Sequence, residues 1–133
     1  MNSFHLTIAT PEGGRFDAQA ERLTVRTTDG EVTILARHIN YVAALGMGQA
    51  TVVTDGTERR AAAIGGMLAV TNGEVRLIAS TFEWAEQISE ERAKLALDRA
   101  EQALARPDLG EDDRLLYEAA RRRALVRLGV VRQ

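Results

Sequence analysis

The sequence predicts an α+β fold, in which an N-terminal antiparallel β-sandwich over residues 1–84 precedes a C-terminal antiparallel two-helix hairpin over residues 85–133. Apolar and polar residues alternate along several short segments of the first part, which is the pattern of half-buried strands. Asp-Gly and Asn-Gly dipeptides separate these segments and favour tight hairpin turns. After Trp84 the composition changes to Ala, Leu, Glu and Arg, the residues that favour helices.

The first part contains an opening strand and three predicted hairpins. In the opening strand Phe4, Leu6 and Ile8 alternate with polar residues, so that one face is buried. Each hairpin is centred on an Asp-Gly or Asn-Gly pair, because these residues tolerate the positive φ angles of a type I′ turn. Many short strands without intervening helices indicate a sandwich or a flattened barrel. The predicted hairpins pair Arg22–Thr28 with Glu31–Leu35, Ala50–Thr54 with Thr57–Ala63, and Met67–Thr71 with Glu74–Ser80.

Glycines mark further features of this part. Gly46 and Gly48 predict a turn, as does the segment Pro11–Gly14. Gly65 and Gly66 follow each other within the β-rich part, where a strand interior normally carries side chains. Either the chain turns at this pair, or another backbone passes so close that no side chain fits.

The second part is predicted to form two helices, Ser89–Leu104 and Glu111–Leu128. Ser89 is a candidate N-cap, and the acidic residues after it suit the helix dipole. The connection Arg106–Gly110 contains a proline and is short, which forces the helices antiparallel. Gly129 is the predicted C′ residue of the second helix.

The predicted seam between the helices is rich in alanine. Each leucine replaced by alanine removes roughly three carbons, worth about 0.8 kcal/mol per CH₂, so the helices approach closely but are held weakly. Two interpretations are open: the hairpin is an arm that can detach, or alanine is present because it is the best helix former. The positions are Ala93, Ala96, Ala100 and Ala103 on the first helix, and Ala119, Ala120 and Ala124 on the second.

The amino-acid composition argues against several classes of function. The chain has no cysteine, which removes disulfide and thiol chemistry and fits a reducing compartment. Its net charge of −2 and its few aromatic residues argue against a nucleic-acid partner. No run approaches the ~20 apolar residues of a membrane span, and the N-terminus lacks the apolar core of a signal peptide. We therefore expect a cytoplasmic protein.

No catalytic constellation is recognisable in the sequence. The only histidines, His5 and His38, lie in different parts of the predicted sheet. No spacing typical of zinc ligands occurs, and no serine lies in a nucleophile elbow. The sequence therefore predicts a protein that binds partners, with no active site and no metal.

Several motifs in order resemble the epsilon subunits of bacterial F-type ATP synthases, and the resemblance covers the whole chain. An apolar strand leads into a T-P-x-G-type turn at Leu6–Gly13. The segment Asp29–His38 is similar to the family's G-x-x-G-I-L-P-x-H stretch, and Ile64–Ala79 to its double-glycine stretch. Ile88–Ala93 lies where many members carry I/L-D-x-x-R-A.

The resemblance implies a noncatalytic rotor subunit at the cytoplasmic face of the bacterial inner membrane. Its β domain would bind the γ subunit of the central stalk and rest on the polar loops of the c-ring, coupling proton or sodium flow to ATP synthesis. Its hairpin would be a regulatory arm that extends to the α/β catalytic subunits and blocks ATP hydrolysis. By position the resemblance places Glu31 and His38 toward the c-ring, and Arg114, Arg121, Arg122 and Arg123 toward acidic surface on the catalytic subunits.

The residues alone leave some of these assignments open. The arginines late in the second helix also fit a solvated face that matches the helix dipole. Ala36 and Arg37 replace a usual proline and glycine-like pair, which implies a different conformation or partner for the ring-facing loop. Ser89 replaces the aspartate of ATP-binding members, which argues against ATP binding. A nucleotide-sensing module and an unrelated β-sandwich adaptor stay as alternatives. The remaining residues of the ATP motif are Ile88, Arg92, Ala93 and Arg99.

Overall fold

The computed structural model describes residues 2–133, which divide into two compact units, one ending at Trp84 and the other spanning Ala85–Gln133. The first unit is built from strands, and the second from a short 3-10 helix and two α-helices. The strands are β1 (Phe4–Ala9), β2 (Arg15–Ala20), β3 (Arg22–Thr27), β4 (Gly30–Ile34), β5 (Tyr41–Ala44), β6 (Met47–Thr54), β7 (Thr57–Thr71) and β8 (Glu74–Trp84). The 3-10 helix is Ala85–Gln87, and the α-helices are α1 (Glu90–Leu104) and α2 (Glu111–Val131).

The strands form one hydrogen-bonded sheet that folds into the two layers of a sandwich. Its order is β2-β1-β8-β7-β6-β3-β4, and β5 pairs with the second half of β7. β7 pairs with β6 as far as Ile64 and with β5 from Met67 onward. The first layer therefore contains β5, the second half of β7, the first half of β8, β1 and β2. The second layer contains the other halves of β7 and β8, with β6, β3 and β4. In residues 2–133, β1 and β8 run parallel and the other strand pairs are antiparallel.

All three predicted hairpins are confirmed. β3 pairs with β4, β6 with β7 and β7 with β8, and the Asp55 and Asn72 of their turns have positive φ angles of 49° and 50°. β7 and β8 run further than predicted, because each continues from one layer into the other. The alternation predicted for the opening strand is also confirmed, since Phe4, Leu6 and Ile8 are buried.

The double glycine lies inside β7, so the chain does not turn there and the close-approach interpretation is confirmed. Gly66 has φ +114°, and a Cβ built on it would lie 1.9 Å from the carbonyl oxygen of Ile78 in β8. The pair falls where β7 changes its partner from β6 to β5. The prediction of a turn at Gly48 is wrong: Gly48 lies within β6, where a Cβ would come 2.8 Å from Cβ of Arg26.

The core between the two layers is made entirely by the first unit. Buried side chains from β1, β3, β6, β7 and β8 fill it, and aromatic residues close it at the end of β8. Its fully buried side chains from these strands include Leu6, Leu23, Val25, Val52, Leu68, Val70, Val75 and Leu77. The first unit therefore has the apolar centre that an independently folding domain needs.

The predicted limits of the two helices agree with the structure except at the end of α2. Ser89 is confirmed as the N-cap of α1, and its Oγ accepts a hydrogen bond from the backbone N–H of Arg92 at 3.2 Å. The prediction that α2 ends before Gly129 is wrong, because the helix continues to Val131. Val130 is buried, and burying a valine side chain contributes about 1.5 kcal/mol or more, against a helix cost of about 1 kcal/mol for glycine.

Ion pairs between α1 and α2 define an antiparallel register. Arg132 Nε lies 2.9 Å from Glu90 Oε2 where α1 begins, and Arg121 Nε lies 3.5 Å from Glu101 Oε2 further along. The seven alanines predicted for the facing sides are all buried or half-buried. Both ion pairs are exposed, so each contributes at most about 1 kcal/mol.

Candidate partner-binding surfaces

His5 lies between two carboxylates on three adjacent strands. Its Nδ1 is 2.8 Å from Glu74 Oε1 on β8, and its Nε2 is 2.5 Å from Asp17 Oδ1 on β2. The hydrogen bond to Glu74, and then that to Asp17, raise the pKa of His5 above its usual value. The hydrogen bond from His5 lowers the pKa of Asp17. Both carboxylates therefore favour the protonated form of His5, which links β1 to the edge strand β2 on one side and to β8 on the other.

This arrangement predicts a pH dependence of the free energy of unfolding. The stabilisation from His5 is fully present below about pH 6.5 and is lost as the pH rises through its raised folded-state pKa. The contribution of Asp17 is present above about pH 3.8 and is lost as the pH falls through its lowered folded-state pKa. Chemical denaturation of His5→Gln at pH 5.5 and pH 9 should show a deficit against the native chain at pH 5.5 that shrinks at pH 9.

His38→Gln is the matched control for this measurement, because the ring of His38 faces a backbone carbonyl and Tyr41 rather than a carboxylate. The deficit of His5→Gln is compared with that of His38→Gln at each pH value. A His5→Gln deficit of equal size at both pH values would show that protonation of His5 does not contribute to stability.

The loop between β4 and β5 contains His38 and lies close in sequence to Glu31. The backbone N–H of His38 donates to the carbonyl of Leu35 at 3.3 Å, and its Nδ1 lies 2.8 Å from the carbonyl oxygen of Ile39. Glu31 is exposed in β4, and within residues 2–133 it shares no hydrogen bond or ion pair with His38. Leu35 and Ile39 are exposed as well, so the loop combines polar and apolar side chains.

Arg37 takes a backbone conformation that favours glycine, with φ +65°. The left-handed region costs a non-glycine residue roughly 1–2 kcal/mol. Arg37 therefore occupies a backbone position that favours glycine, with an arginine side chain in its place.

The outer face of the first layer exposes several large apolar side chains. Strand alternation and register bring Val42 of β5, Met67 of β7 and Ile78 of β8 onto it, and their side chains are 64%, 44% and 55% exposed. The sequence held one signal of this face, since Ile78 occupies a position where alternation along β8 predicts a polar residue. Met67 is placed beside Ile78 by the predicted hairpin, but Val42 could not be placed on this face, because the pairing of β5 with β7 was not predicted.

The four arginines predicted for the arm differ in their contacts. Arg114 Nη1 donates to the carbonyl of Leu104 at 3.5 Å, and Arg121 pairs with Glu101. Arg122 is exposed and Arg123 half-buried, and neither makes a hydrogen bond or ion pair within the described part of the chain. Two of the four are thus engaged within the hairpin and two are free to contact a partner.

The residues of the ATP motif lie at the start and along one side of α1. The side chains of Arg92 and Arg99 are exposed and make no hydrogen bond or ion pair in residues 2–133. Ile88 is half-buried ahead of the helix, and Ala93 is buried, with only 4% of its surface exposed. Ser89 caps the helix at the position of the replaced aspartate. ATP binding by these residues stays a prediction.

The described residues contain no group of His, Cys, Asp or Glu side chains that could hold a metal ion. None of the helices in residues 2–133 has the length and apolar character needed to cross a bilayer.

Two family models match adjoining parts of the chain. One is described as "ATP synthase, Delta/Epsilon chain, beta-sandwich domain" and matches residues 3–85. The other is described as "ATP synthase, Delta/Epsilon chain, long alpha-helix domain" and matches residues 86–132. Together they include both compact units.

Curated relatives are similar over almost their full lengths. The ATP synthase epsilon chain of Caldicellulosiruptor bescii is 39% identical over 128 residues, which are 96% of this chain and 93% of the relative. That of Shouchella clausii is 36% identical over 132 residues, which are 99% of this chain and 97% of the relative. The similarity thus extends through the sandwich and the hairpin alike.

Solved structures have the same fold. A chain in the OSCP/F1/c-ring of Euglena gracilis mitochondrial ATP synthase, in rotational state 1, superposes with a TM-score of 0.71 at 25% identity, covering 98% of this chain and 78% of that one. A chain in the central stalk/c-ring of Tetrahymena thermophila mitochondrial ATP synthase gives a TM-score of 0.65 at 11% identity, covering 96% and 95%, which shows the fold alone.

Proposed function

We propose that this chain, which belongs to the delta/epsilon family of F-type ATP synthase and within it to the epsilon chains of the central stalk, couples ion flow to ATP synthesis and restrains ATP hydrolysis. In this role it is a noncatalytic part of the rotor. The observation that carries the proposal is the full-length match to epsilon chains, through both units, at about the same identity.

The sandwich binds the γ subunit through the outer face of its first layer. Val42, Met67 and Ile78 expose apolar surface on this face, and contiguous apolar surface on a soluble protein commonly marks a binding site. Because the face belongs to a sheet that packs on its own hydrophobic core, it can bind the γ subunit without changing conformation. A rigid binding face is required if rotation is to be transmitted between the γ subunit and this chain.

The loop between β4 and β5 faces the polar loops of the c-ring. Glu31 is free to accept hydrogen bonds, and His38 is held at the base of the loop by backbone contacts. The left-handed conformation at Arg37 turns the backbone within this loop. This contact places the chain at the cytoplasmic face of the bacterial inner membrane, as a peripheral subunit.

The helical hairpin acts as a regulatory arm. Its alanine-rich facing sides and exposed ion pairs hold the helices together weakly, which suits a segment that changes partners. Arg122 and Arg123 have no partner within the described residues and can pair with acidic surface on the α/β catalytic subunits. Arg114 and Arg121 contribute to that contact only after releasing Leu104 and Glu101.

Regulation by ATP is a second candidate, favoured by the exposed and unpaired Arg92 and Arg99. They lie two turns apart on α1, so both can reach one phosphate chain. Against it, Ser89 offers no carboxylate, and buried Ala93 has little surface for a ligand. We therefore place γ binding ahead of nucleotide sensing.

Co-purification tests the proposal. A tagged full-length chain, produced with γ from the same organism, should elute with γ in an equimolar complex. Ile78→Asp places a charge on the binding face and should weaken the complex by about tenfold or more. Leu116→Asp, on an equally exposed leucine of the hairpin, is the control and should not. Elution of the native chain without γ would refute the proposed role.

A further inference from the structure

One charged residue on the outer face of the first layer has no partner in the chain. Strand pairing places Arg76 of β8 between Ala69 of β7 and Thr7 of β1, so short side chains flank it on both sides. The Arg76 side chain is exposed, and within residues 2–133 it makes no hydrogen bond, ion pair or ring contact. Its guanidinium is therefore accessible from the solvent over the sheet and across the neighbouring strands β7 and β1.

The nearest carboxylates on this face are already engaged. Glu74 lies two residues before Arg76 on the same side of β8, yet its Oε1 is 2.8 Å from His5 Nδ1. Asp17 contacts His5 Nε2 at 2.5 Å and lies 3.7 Å from Arg15. His5 thus engages Glu74 and Asp17, and Arg76 pairs with neither of them in the described residues. The guanidinium of Arg76 is therefore available to pair with a negatively charged group of another molecule.

The surroundings of Arg76 suit a carboxylate on a segment with apolar neighbours. Two hollows of about 340 and 270 Å³ adjoin it, and both are lined by Arg76 and Glu74. On the same face, Ile78 lies two residues along β8, Met67 one strand away on β7, and Val42 two strands away on β5. Apolar contact there removes water from the arginine, which strengthens its attraction for an opposite charge.

We propose that Arg76 is the specificity-determining contact of this face, and that it binds an acidic side chain of the γ subunit through a two-pronged guanidinium–carboxylate pair. The inference rests on the proposed γ-binding function and adds the chemistry of the partner: an Asp or Glu flanked by apolar residues. A guanidinium matches the geometry of a carboxylate with two parallel hydrogen bonds, which an ammonium group cannot reproduce.

The test measures binding of the full-length chain to γ by titration calorimetry. Arg76→Gln should weaken binding about 30-fold or more, as loss of one partner of a desolvated charge pair does. Arg76→Lys should give an intermediate affinity. The binding constant of the native chain should fall more steeply with salt than that of Arg76→Gln. Arg26→Gln, on an exposed arginine of the other layer, is the matched control and should bind like the native chain.

Zero-length carbodiimide crosslinking of Arg76→Lys to γ identifies the partner group. A carboxylate within contact distance should yield a covalent amide between the substituted position and an Asp or Glu of γ, located by mass spectrometry. The inference is overturned if Arg76→Gln binds γ as tightly as the native chain and with the same salt dependence. That result differs from failure of the proposed function, in which the native chain itself does not bind γ.

Discussion

Replacing Gly66 with alanine is expected to unfold the sandwich at temperatures where the native chain is folded. A Cβ at this position would lie 1.9 Å from the carbonyl oxygen of Ile78 and 2.8 Å from Cα of Ala79, and both atoms belong to the backbone of the neighbouring strand. A rotamer change cannot relieve such a clash, so β7 and β8 would have to separate. We expect a loss of about 4 kcal/mol or more, a large part of the 5–15 kcal/mol typical of a domain.

Gly73→Ala is the matched control for this prediction. Gly73 also has a positive φ angle, +82°, but no atom lies within 4 Å of a Cβ built on it. The left-handed conformation alone should cost about 1–2 kcal/mol. Urea denaturation followed by circular dichroism compares the two variants. Equal losses would mean that the backbone angle, and not the approach of β8, explains the double glycine.

Removal of residues 85–133 is expected to raise ATP hydrolysis by the assembled complex about fivefold or more, which is the usual range of an allosteric coupling. In the proposed role the arm restrains the catalytic subunits, so its loss should release them while γ stays bound. The measurement is the steady-state ATPase rate of complexes reconstituted with the full chain or with residues 1–84. An unchanged rate would remove the inhibitory role and leave the coupling role.

The structure indicates where this truncation should be made. Trp84 contacts Phe16 at 5.2 Å and Phe82 at 5.0 Å between ring centroids, and the guanidinium of Arg59 lies 3.7 Å from its ring. All of these partners belong to the sandwich, so a chain ending after Trp84 keeps the aromatic cluster that closes the core. A cut before Trp84 would remove it and confuse loss of the arm with loss of folding.

Features that depend on local chemistry could be predicted from the sequence. The hairpin turns followed from Asp-Gly and Asn-Gly, the start of α1 from Ser89, and the close approach of strands from the double glycine. In each case a few adjacent residues determine the backbone conformation. The same argument failed at Gly129, because burial of Val130 outweighs the low helix propensity of glycine.

Features that depend on strand order could not be predicted. β5 is only four residues long and contains too few polar residues to alternate. The parallel pairing of β1 with β8 joins residues about seventy positions apart, and it brings Thr7 beside Arg76. Without that pairing, the surroundings of Arg76 on the β1 side cannot be recognised.

The central claim is that the sandwich alone binds the γ subunit, while the hairpin regulates ATP hydrolysis. Its most direct test is the affinity of residues 1–84 for γ, measured by titration calorimetry beside the full chain. The account predicts that the fragment binds with a dissociation constant within about tenfold of the full chain, a difference of at most about 1.4 kcal/mol. A folded fragment that does not bind γ would contradict it.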